Sequence, residues 1–108
     1  MIEQDYIPVE LVERLKKAGF ENETKTHFGV IIIRPTIWQV LKWLREEKLI
    51  LIGLSPMQEY DVEETIEWCA VVYKADKQGG LSFKEEVYYE SYELAALAGI
   101  EYVLDNLI

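Results

Sequence analysis

The sequence predicts an α+β fold, in which a three- to four-stranded, mostly antiparallel sheet packs against two to three helices. One observation is a helix pattern over residues 36–47 that passes almost directly into an apolar run over residues 49–54. Another is the regular alternation of side chains over residues 65–74, which is typical of a strand. A turn with two glycines follows, so the next strand is expected to complete a hairpin. We predict one compact domain over residues 1–108, with the element order α-β-α-β-β-β-α.

The composition is that of a folded chain and not of a disordered one. Of the 108 residues, 50% are hydrophobic and 12% aromatic, enough for one core without disulfides or metal ions. The single cysteine, Cys69, excludes an internal disulfide and a cysteine-based zinc site, and it favours a reducing cytoplasm. We expect no signal sequence and no membrane span, because the longest apolar stretches, residues 30–33 and 49–54, are too short to cross a bilayer.

The first part of the chain predicts one short helix and one strand. The helix ends at Gly19, where Leu15 and Phe20 are spaced to make the hydrophobic contact of a Schellman stop. Residues 21–26 are polar and are predicted to form a turn. Residues 27–34 contain a β-branched run and are predicted to form a buried strand.

The central helix has the clearest start signal in the sequence. Thr36 and Gln39 fit a capping box, in which two side chains satisfy free amides at the first turn. One apolar stripe contains Ile37, Val40, Leu41 and Leu44. Trp38 and Trp43 flank that stripe on opposite sides. The apolar run over residues 49–54 is predicted to be a strand covered on both faces.

The second half predicts a loop, a hairpin and a final helix. Residues 55–64 are polar and are predicted to form the loop. In the strand over residues 65–74, one face carries Ile66, Trp68, Ala70 and Val72, and the other carries Glu67, Cys69, Val71 and Tyr73. A turn over residues 76–80 leads to a strand over residues 81–89. Ser91 is predicted to cap the last helix, in which Gly99 falls on the polar side and costs about 1 kcal/mol of helix propensity.

All of the excess negative charge lies in the second half. Residues 1–54 contain eight basic and eight acidic residues, whereas residues 55–108 contain three lysines and twelve acids, a net charge of −9. This balance argues against nucleic acid as a direct ligand, because such affinity comes mostly from cationic contacts to phosphate. Gln39, Lys42 and Arg45 are residue types found on recognition helices, but the preceding helix ends near Ala18, too far away for a helix-turn-helix.

We predict no catalytic residue, no cofactor site and no metal site. His27 is the single histidine, and a catalytic role would need partners that converge on it from elsewhere in the fold. We interpret it as an ordinary histidine at a strand edge. Cys69 would be a nucleophile only if nearby cations lowered its pKa, and an inert buried thiol is an equal alternative.

The acidic residues of the second half fall into two groups in the sequence. The first contains Asp61, Glu63, Glu64 and Glu67, and the second contains Glu85, Glu86, Glu90 and Glu93. Paired carboxylates can hold Mg²⁺ or Ca²⁺, or act as the acid and base of a hydrolase. No calcium-loop motif is present, and no acid stands isolated in an apolar pattern. We therefore favour a solvated acidic face, and after it a docking surface for a basic partner.

Aromatic residues provide candidate contacts for a protein partner. Tyr88 and Tyr92 are interleaved with the second group of acids, an arrangement that suits either a partner-binding surface or half-buried sheet residues. Trp38 and Trp43 cannot both be buried if they flank the core stripe, so one of them is available to a partner or to a second copy. The predicted partner-binding residues are Glu85, Glu86, Tyr88, Glu90, Tyr92, Trp38 and Trp43.

Several segments together resemble a known kind of protein. They are Pro35-Thr36, residues 40–47 with the apolar strand after them, residues 67–73, residues 89–95, and the ends at residues 7–20 and 106–108. On these segments the sequence resembles a family of small uncharacterised proteins from gut bacteria and their phages. The resemblance implies a mobile-element context, and it implies no activity, because the matching residues are packing and capping signals.

We expect a small, non-enzymatic cytoplasmic accessory protein that acts by protein–protein contact, alone or as a homodimer. The alternative is an acidic inhibitor of the anti-restriction or immunity type. In that case residues 55–108 would mimic nucleic acid and cover a basic surface of the partner, with salt-sensitive binding. Neither hypothesis involves a cofactor, a membrane or direct contact with nucleic acid.

Overall fold

Helices and an antiparallel sheet form two layers in the described part of the chain. The computed structural model describes residues 5–21, 23–26, 29–32, 34–58 and 66–108. The elements are α1 (Val9–Lys17), β1 (Glu23–Thr26), β2 (Gly29–Ile32), α2 (Ile37–Glu47), β3 (Ile50–Gln58), β4 (Ile66–Ala75), β5 (Leu81–Tyr89) and α3 (Tyr92–Asn106). The strands β3, β4 and β5 form one antiparallel sheet in that order, which confirms the predicted α+β class. None of the described helices is both long and apolar enough to cross a membrane.

The core lies between the three helices and one face of the β3-β4-β5 sheet. Its buried residues are Ile7, Leu11, Leu15, Ile37, Val40, Leu44, Ile50, Val72, Ala96, Ile100 and Val103. Ile50 and Val72 are the members that the sheet contributes. The three helices therefore share one hydrophobic core, as is usual for a domain of this size.

The end of α1 confirms the predicted Schellman stop. Gly19 has a φ of 107°, in the left-handed region that suits glycine. The Phe20 amide donates to the Leu15 carbonyl at 2.9 Å, and the Gly19 amide donates to the Lys16 carbonyl at 3.1 Å. These two bonds satisfy carbonyls that the helix end would otherwise leave unpaired.

A hairpin stands where one strand was predicted. The strands β1 and β2 pair antiparallel, with Glu23 opposite Ile32 and Thr26 opposite Gly29. The prediction of a turn over residues 21–26 is therefore wrong for β1. Polarity suggested a turn, but the two threonines of this segment are β-branched and favour extended backbone. The predicted strand is confirmed over Gly29–Ile32, whereas His27, the candidate at its entrance, lies outside the described residues.

The predicted capping box is present at the start of α2. The Thr36 hydroxyl accepts from the Gln39 amide at 3.2 Å, and the Gln39 side chain accepts from the Thr36 amide at 2.8 Å. Trp38 and Trp43 lie on opposite sides of the buried stripe. Trp38 is 55% exposed, whereas Trp43 is half-buried and packs edge-on against Phe20.

The strand β3 departs from the sequence prediction in two ways. It continues to Gln58, so residues 55–58 belong to the strand and not to the predicted loop. Pro56 lies in this edge strand, where a missing N–H removes nothing from the ladder when it points away from the neighbouring strand. The expected cover on both faces is also wrong, because Gly53 and Ser55 are exposed on the side away from the helices.

The hairpin of β4 and β5 confirms the predicted alternation and turn. Asp76 closes the turn by accepting from the Gln78 and Gly80 amides, each at 2.8 Å. The register shifts between Val72 and Tyr73, so β5 has an irregularity at Lys84. Such a bulge changes the direction in which the following side chains point.

The helix α3 begins as predicted, with the Ser91 hydroxyl accepting from the Leu94 amide at 3.2 Å. The part of α3 that lies closest to the sheet consists of small residues, which was not predicted from the sequence. Gly99 is buried, and an added Cβ there would lie 3.1 Å from Ile52 Cγ2 and 3.8 Å from Ala70 Cβ. The prediction that Gly99 lies on the polar side is therefore wrong: its missing side chain lets the helix approach the sheet.

Candidate functional site: the outer face of the sheet

The sheet has one face turned away from the helices, called here the outer face. Strand alternation places Cys69, Val71 and Tyr73 of β4 on it, because Val72 points into the core. The register then adds the residues directly opposite on the neighbouring strands. These are Leu51, Gly53 and Ser55 of β3 and Leu81, Phe83, Glu86 and Tyr88 of β5. None of the described helices packs on this face.

Half of the outer face is apolar. The outer apolar patch consists of Leu51, Val71, Tyr73, Ala75, Leu81 and Phe83. Leu81 is 59% exposed and Phe83 is 58% exposed, although both are large hydrophobic residues on a sheet. An antiparallel sheet with one face in water normally alternates apolar-in and polar-out, so an apolar outer patch indicates a contact surface.

The other half is a small polar cluster around Glu86. The Cys69 thiol donates to Glu86 Oε1 at 3.6 Å, and the Tyr88 hydroxyl donates to the same oxygen. Burial raises the pKa of the Cys69 thiol, and the Glu86 carboxylate adds to the effect. The same hydrogen bond to Glu86 is the main reason that the pKa of Tyr88 is raised to about 12. Cys69 is therefore a thiol at neutral pH, which is the opposite of what a nucleophile needs.

A groove lies at the free edge of β3, between that strand and α2. It has a volume of about 440 Å³. Its lining residues are Trp38, Leu41, Lys42, Arg45, Leu51, Ile52, Leu54 and Tyr92. The four helix residues are spaced so that they share one helical face. The groove therefore combines an apolar floor with two cations.

An aromatic cluster closes one end of this groove. Tyr92 lies between two tryptophans, with ring centroids 5.3 Å from Trp38 and 5.0 Å from Trp68. The Trp68 ring is perpendicular to that of Tyr92. Burial raises the pKa of Tyr92, and the nearby Glu93 adds to it, so the ring is held in its neutral form.

The predicted partner-binding residues do not form one surface. Trp38 and Tyr92 meet at the groove. Glu86 and Tyr88 lie on the outer face, whereas Glu85 is opposite Val72 on the helix side. The two remaining residues lie apart from both places: Trp43 packs against Phe20, and Glu90 is exposed after the end of β5.

The predicted acidic groups are only partly within the described residues. Asp61, Glu63 and Glu64 lie outside them. Of the described members, Glu86 is on the outer face, Glu85 is on the helix side and Glu90 is exposed after β5. Two acids outside both groups have other roles: Asp76 accepts from amides of the β4–β5 turn, and Asp105 pairs with Arg14 on α1. Within the described ranges, no three His, Cys, Asp or Glu side chains come close enough to hold a metal ion.

Sequence reasoning missed the exposure of Leu81 and Phe83. The available signal was their spacing of two, which places both on one face of β5 next to Tyr73. Sequence reasoning also excluded a DNA-recognition role for Lys42 and Arg45 and did not consider another role for them.

Comparison of the chain with protein-family models, curated proteins and solved structures finds no match. The function is therefore inferred from the outer face and the groove.

Proposed function

We propose that the chain is a small protein-interaction domain that forms a homodimer through the outer apolar patch. The observation that supports this most directly is the exposure of Leu81 and Phe83, 59% and 58%, beside Tyr73 on a sheet face that no described helix covers. Large apolar side chains that adjoin each other on a surface gain free energy when a partner removes them from water.

A second copy suits this patch because the patch is apolar and uncharged. Two copies related by a two-fold axis near Phe83 would place apolar residues against apolar residues. Glu86 borders the patch opposite Val71, so it would lie at the wet rim in each copy. The dimer would bury no unpaired charge.

The area of the sheet face limits how tightly two copies can bind each other. Three strands about 4.8 Å apart, each of about nine residues at roughly 3.3 Å per residue, give a face of roughly 400 Å² per copy. Two such faces bury at most about 800 Å², less than the roughly 1,200 Å² at which stable interfaces begin. We therefore expect a weak dimer, with a dissociation constant on the order of 10–100 μM.

Sedimentation equilibrium tests the dimer with a pair of variants of β5. Phe83→Thr removes the aromatic ring from the outer face and keeps a strand-forming residue. Tyr89→Thr is the matched control, because Tyr89 is 43% exposed on the same strand but opposite Trp68 on the helix side. We expect the parent chain and Tyr89→Thr to dimerise and Phe83→Thr to stay monomeric. A monomeric parent chain up to about 500 μM, or equal behaviour of the two variants, would refute the proposal.

The charge distribution favours a second candidate, the acidic inhibitor of a basic nucleic-acid-binding partner. Its support is the net charge of −9 carried by residues 55–108, with Glu86 and Glu90 exposed at the end of β5. Pull-down at low and then high salt tests it. Reversal of Glu85, Glu86 and Glu90 to lysine should release salt-sensitive partners, whereas Glu101→Lys on α3 should retain them. Identical capture by both variants would exclude this candidate.

We also propose a cytoplasmic location and a mobile-element context for the protein. The location is supported by Cys69, which is a free, buried cysteine. The context is supported by the family resemblance of the sequence. Expression of a fluorescent fusion, followed by fractionation, tests the location.

A further inference from the structure

The strand β3 presents backbone groups that no described residue satisfies. The Ala75 amide donates to the Leu49 carbonyl at 2.7 Å, and this bond fixes which residues of β3 bond to β4. In an antiparallel ladder those residues alternate, so Leu51 and Gly53 face β4 whereas Ile52 and Leu54 turn their N–H and C=O groups outward. Pro56 is in the outward set but has no N–H. The usable edge therefore runs from about Ile50 to Leu54.

The groove lies directly over this edge. Ile52 and Leu54 line it from β3, and Trp38, Leu41, Lys42 and Arg45 line it from α2. A strand added beside β3 would lie about 4.8 Å from it and would point alternate side chains toward that helix face. Apolar side chains would meet Trp38 and Leu41. The groove thus offers both main-chain pairing and side-chain pockets, the two parts of peptide recognition by strand addition.

The charges of the groove determine the chemistry of its occupant. Lys42 and Arg45 are exposed, and neither makes an ion pair with a carboxylate of the described residues. The chain has 11 basic residues against 20 acidic ones, and the residues that line this groove include two cations and no acid. They would attract an acidic segment and repel a basic one.

We propose that this groove binds an extended acidic segment of a partner protein, which pairs with the free edge of β3 as a fourth strand. The groove shares Leu51 with the outer apolar patch, but its other lining residues lie outside the patch, so the proposed binding does not depend on the homodimer. Pairing of β3 with β3 of a second copy is disfavoured, because it would bring the Lys42 and Arg45 side chains of the two copies together. The segment needs a β-branched residue near Trp38 and a carboxylate near Arg45.

Fluorescence anisotropy with three labelled, terminally blocked octapeptides tests the proposal. The first has threonine at its odd positions and valine and glutamate in turn at its even positions, so that valine and glutamate share the face turned toward α2. The second has lysine in place of glutamate, and the third is the first with every peptide nitrogen methylated. We expect the glutamate peptide to bind at least tenfold more tightly than the other two, since lysine reverses the charge and methylation removes main-chain donors. Raised salt should weaken the binding.

Variants and hydrogen exchange locate the site. Arg45→Gln should weaken binding of the glutamate peptide at least fivefold, whereas Lys17→Gln, the same charge change on α1, should leave it unchanged. Phe83→Thr should also bind normally. The Ile52 and Leu54 amides should exchange more slowly when the peptide is bound. Equal binding of the methylated peptide, unchanged exchange at these two amides, or no binding up to about 1 mM would overturn the proposal.

Discussion

Tyr73 of β4 and Phe83 of β5 face each other across the outer face of the sheet, with ring centroids 6.2 Å apart and planes at 74°. This edge-to-face arrangement is worth about 0.5–1.5 kcal/mol beyond the area that it buries. A double-mutant cycle with Tyr73→Thr and Phe83→Thr should therefore give a coupling energy in that range. Urea unfolding at low protein concentration, where the proposed dimer is dissociated, measures it. A coupling near zero would mean that the two rings do not pack in the monomer.

The capping box of α2 predicts a defined loss of stability. Thr36→Ala removes the hydroxyl that accepts from the Gln39 amide, which should lower the free energy of unfolding by about 1 kcal/mol. Urea unfolding monitored by circular dichroism measures the change. Thr36→Ser, which keeps the hydroxyl, is the control and should stay close to the parent chain. An equal loss in both variants would show that the methyl group, and not the cap, matters.

Local signals were read correctly from the sequence because they depend on few neighbours. Three such signals are the capping box of Thr36 and Gln39, the N-cap at Ser91 and the Schellman stop at Gly19. Each involves residues within about five positions of each other, so local chain geometry determines it. The alternation over β4 was equally local. These signals fixed the fold class.

The errors concern features that only tertiary structure decides. Pro56 suggested a loop, but it is compatible with a strand whose N–H side is unpaired, and the order of the strands is not in the local sequence. The helix α3 has apolar residues on several sides, so its periodicity could not reveal that Gly99 packs on the sheet. The exposure of Phe83 likewise follows from the side on which the helices pack.

Leu49 stores local strain that a substitution can release. It follows the end of α2 and has a φ of 57°, a conformation that costs a side-chain-bearing residue roughly 1–2 kcal/mol. Leu49 is 40% exposed, and both truncations remove the same partly buried side chain beyond Cβ. Leu49→Gly should therefore be more stable than Leu49→Ala by about 1 kcal/mol in urea unfolding, since both lose the side chain but only glycine relieves the strain. Equal stability of the two variants would contradict this account.

Gly99 predicts a dependence on side-chain size. A methyl group at this position meets Ile52 Cγ2 at 3.1 Å, so the gain in helix propensity is offset by a tight contact. We expect Gly99→Ala to stay within about 1 kcal/mol of the parent chain and Gly99→Val to lose roughly 1–3 kcal/mol through overpacking. Thermal unfolding measures both. Ile52→Ala should rescue part of the loss in Gly99→Val, and no rescue would mean that another neighbour opposes the added methyl groups.

The cluster around Glu86 predicts that stability falls in alkali. The pKa of Cys69 is raised from 9.0 by burial and Glu86, and the pKa of Tyr88 is raised from 10.0 to about 12 mainly by its hydrogen bond to Glu86. Between these values the folded chain keeps protons that the unfolded chain has lost, so the free energy of unfolding decreases as pH rises from about 9 toward 12.

Urea unfolding across this pH window measures how steeply the free energy of unfolding falls with pH. Glu86→Gln should reduce the slope, because the carboxylate is the main cause of the Tyr88 shift and adds to the Cys69 shift. Glu90→Gln, an exposed acid beyond the end of β5, is the matched control and should keep the parent slope. If Glu86→Gln and Glu90→Gln gave the same slope, the Glu86 cluster would not be the source of the alkaline sensitivity.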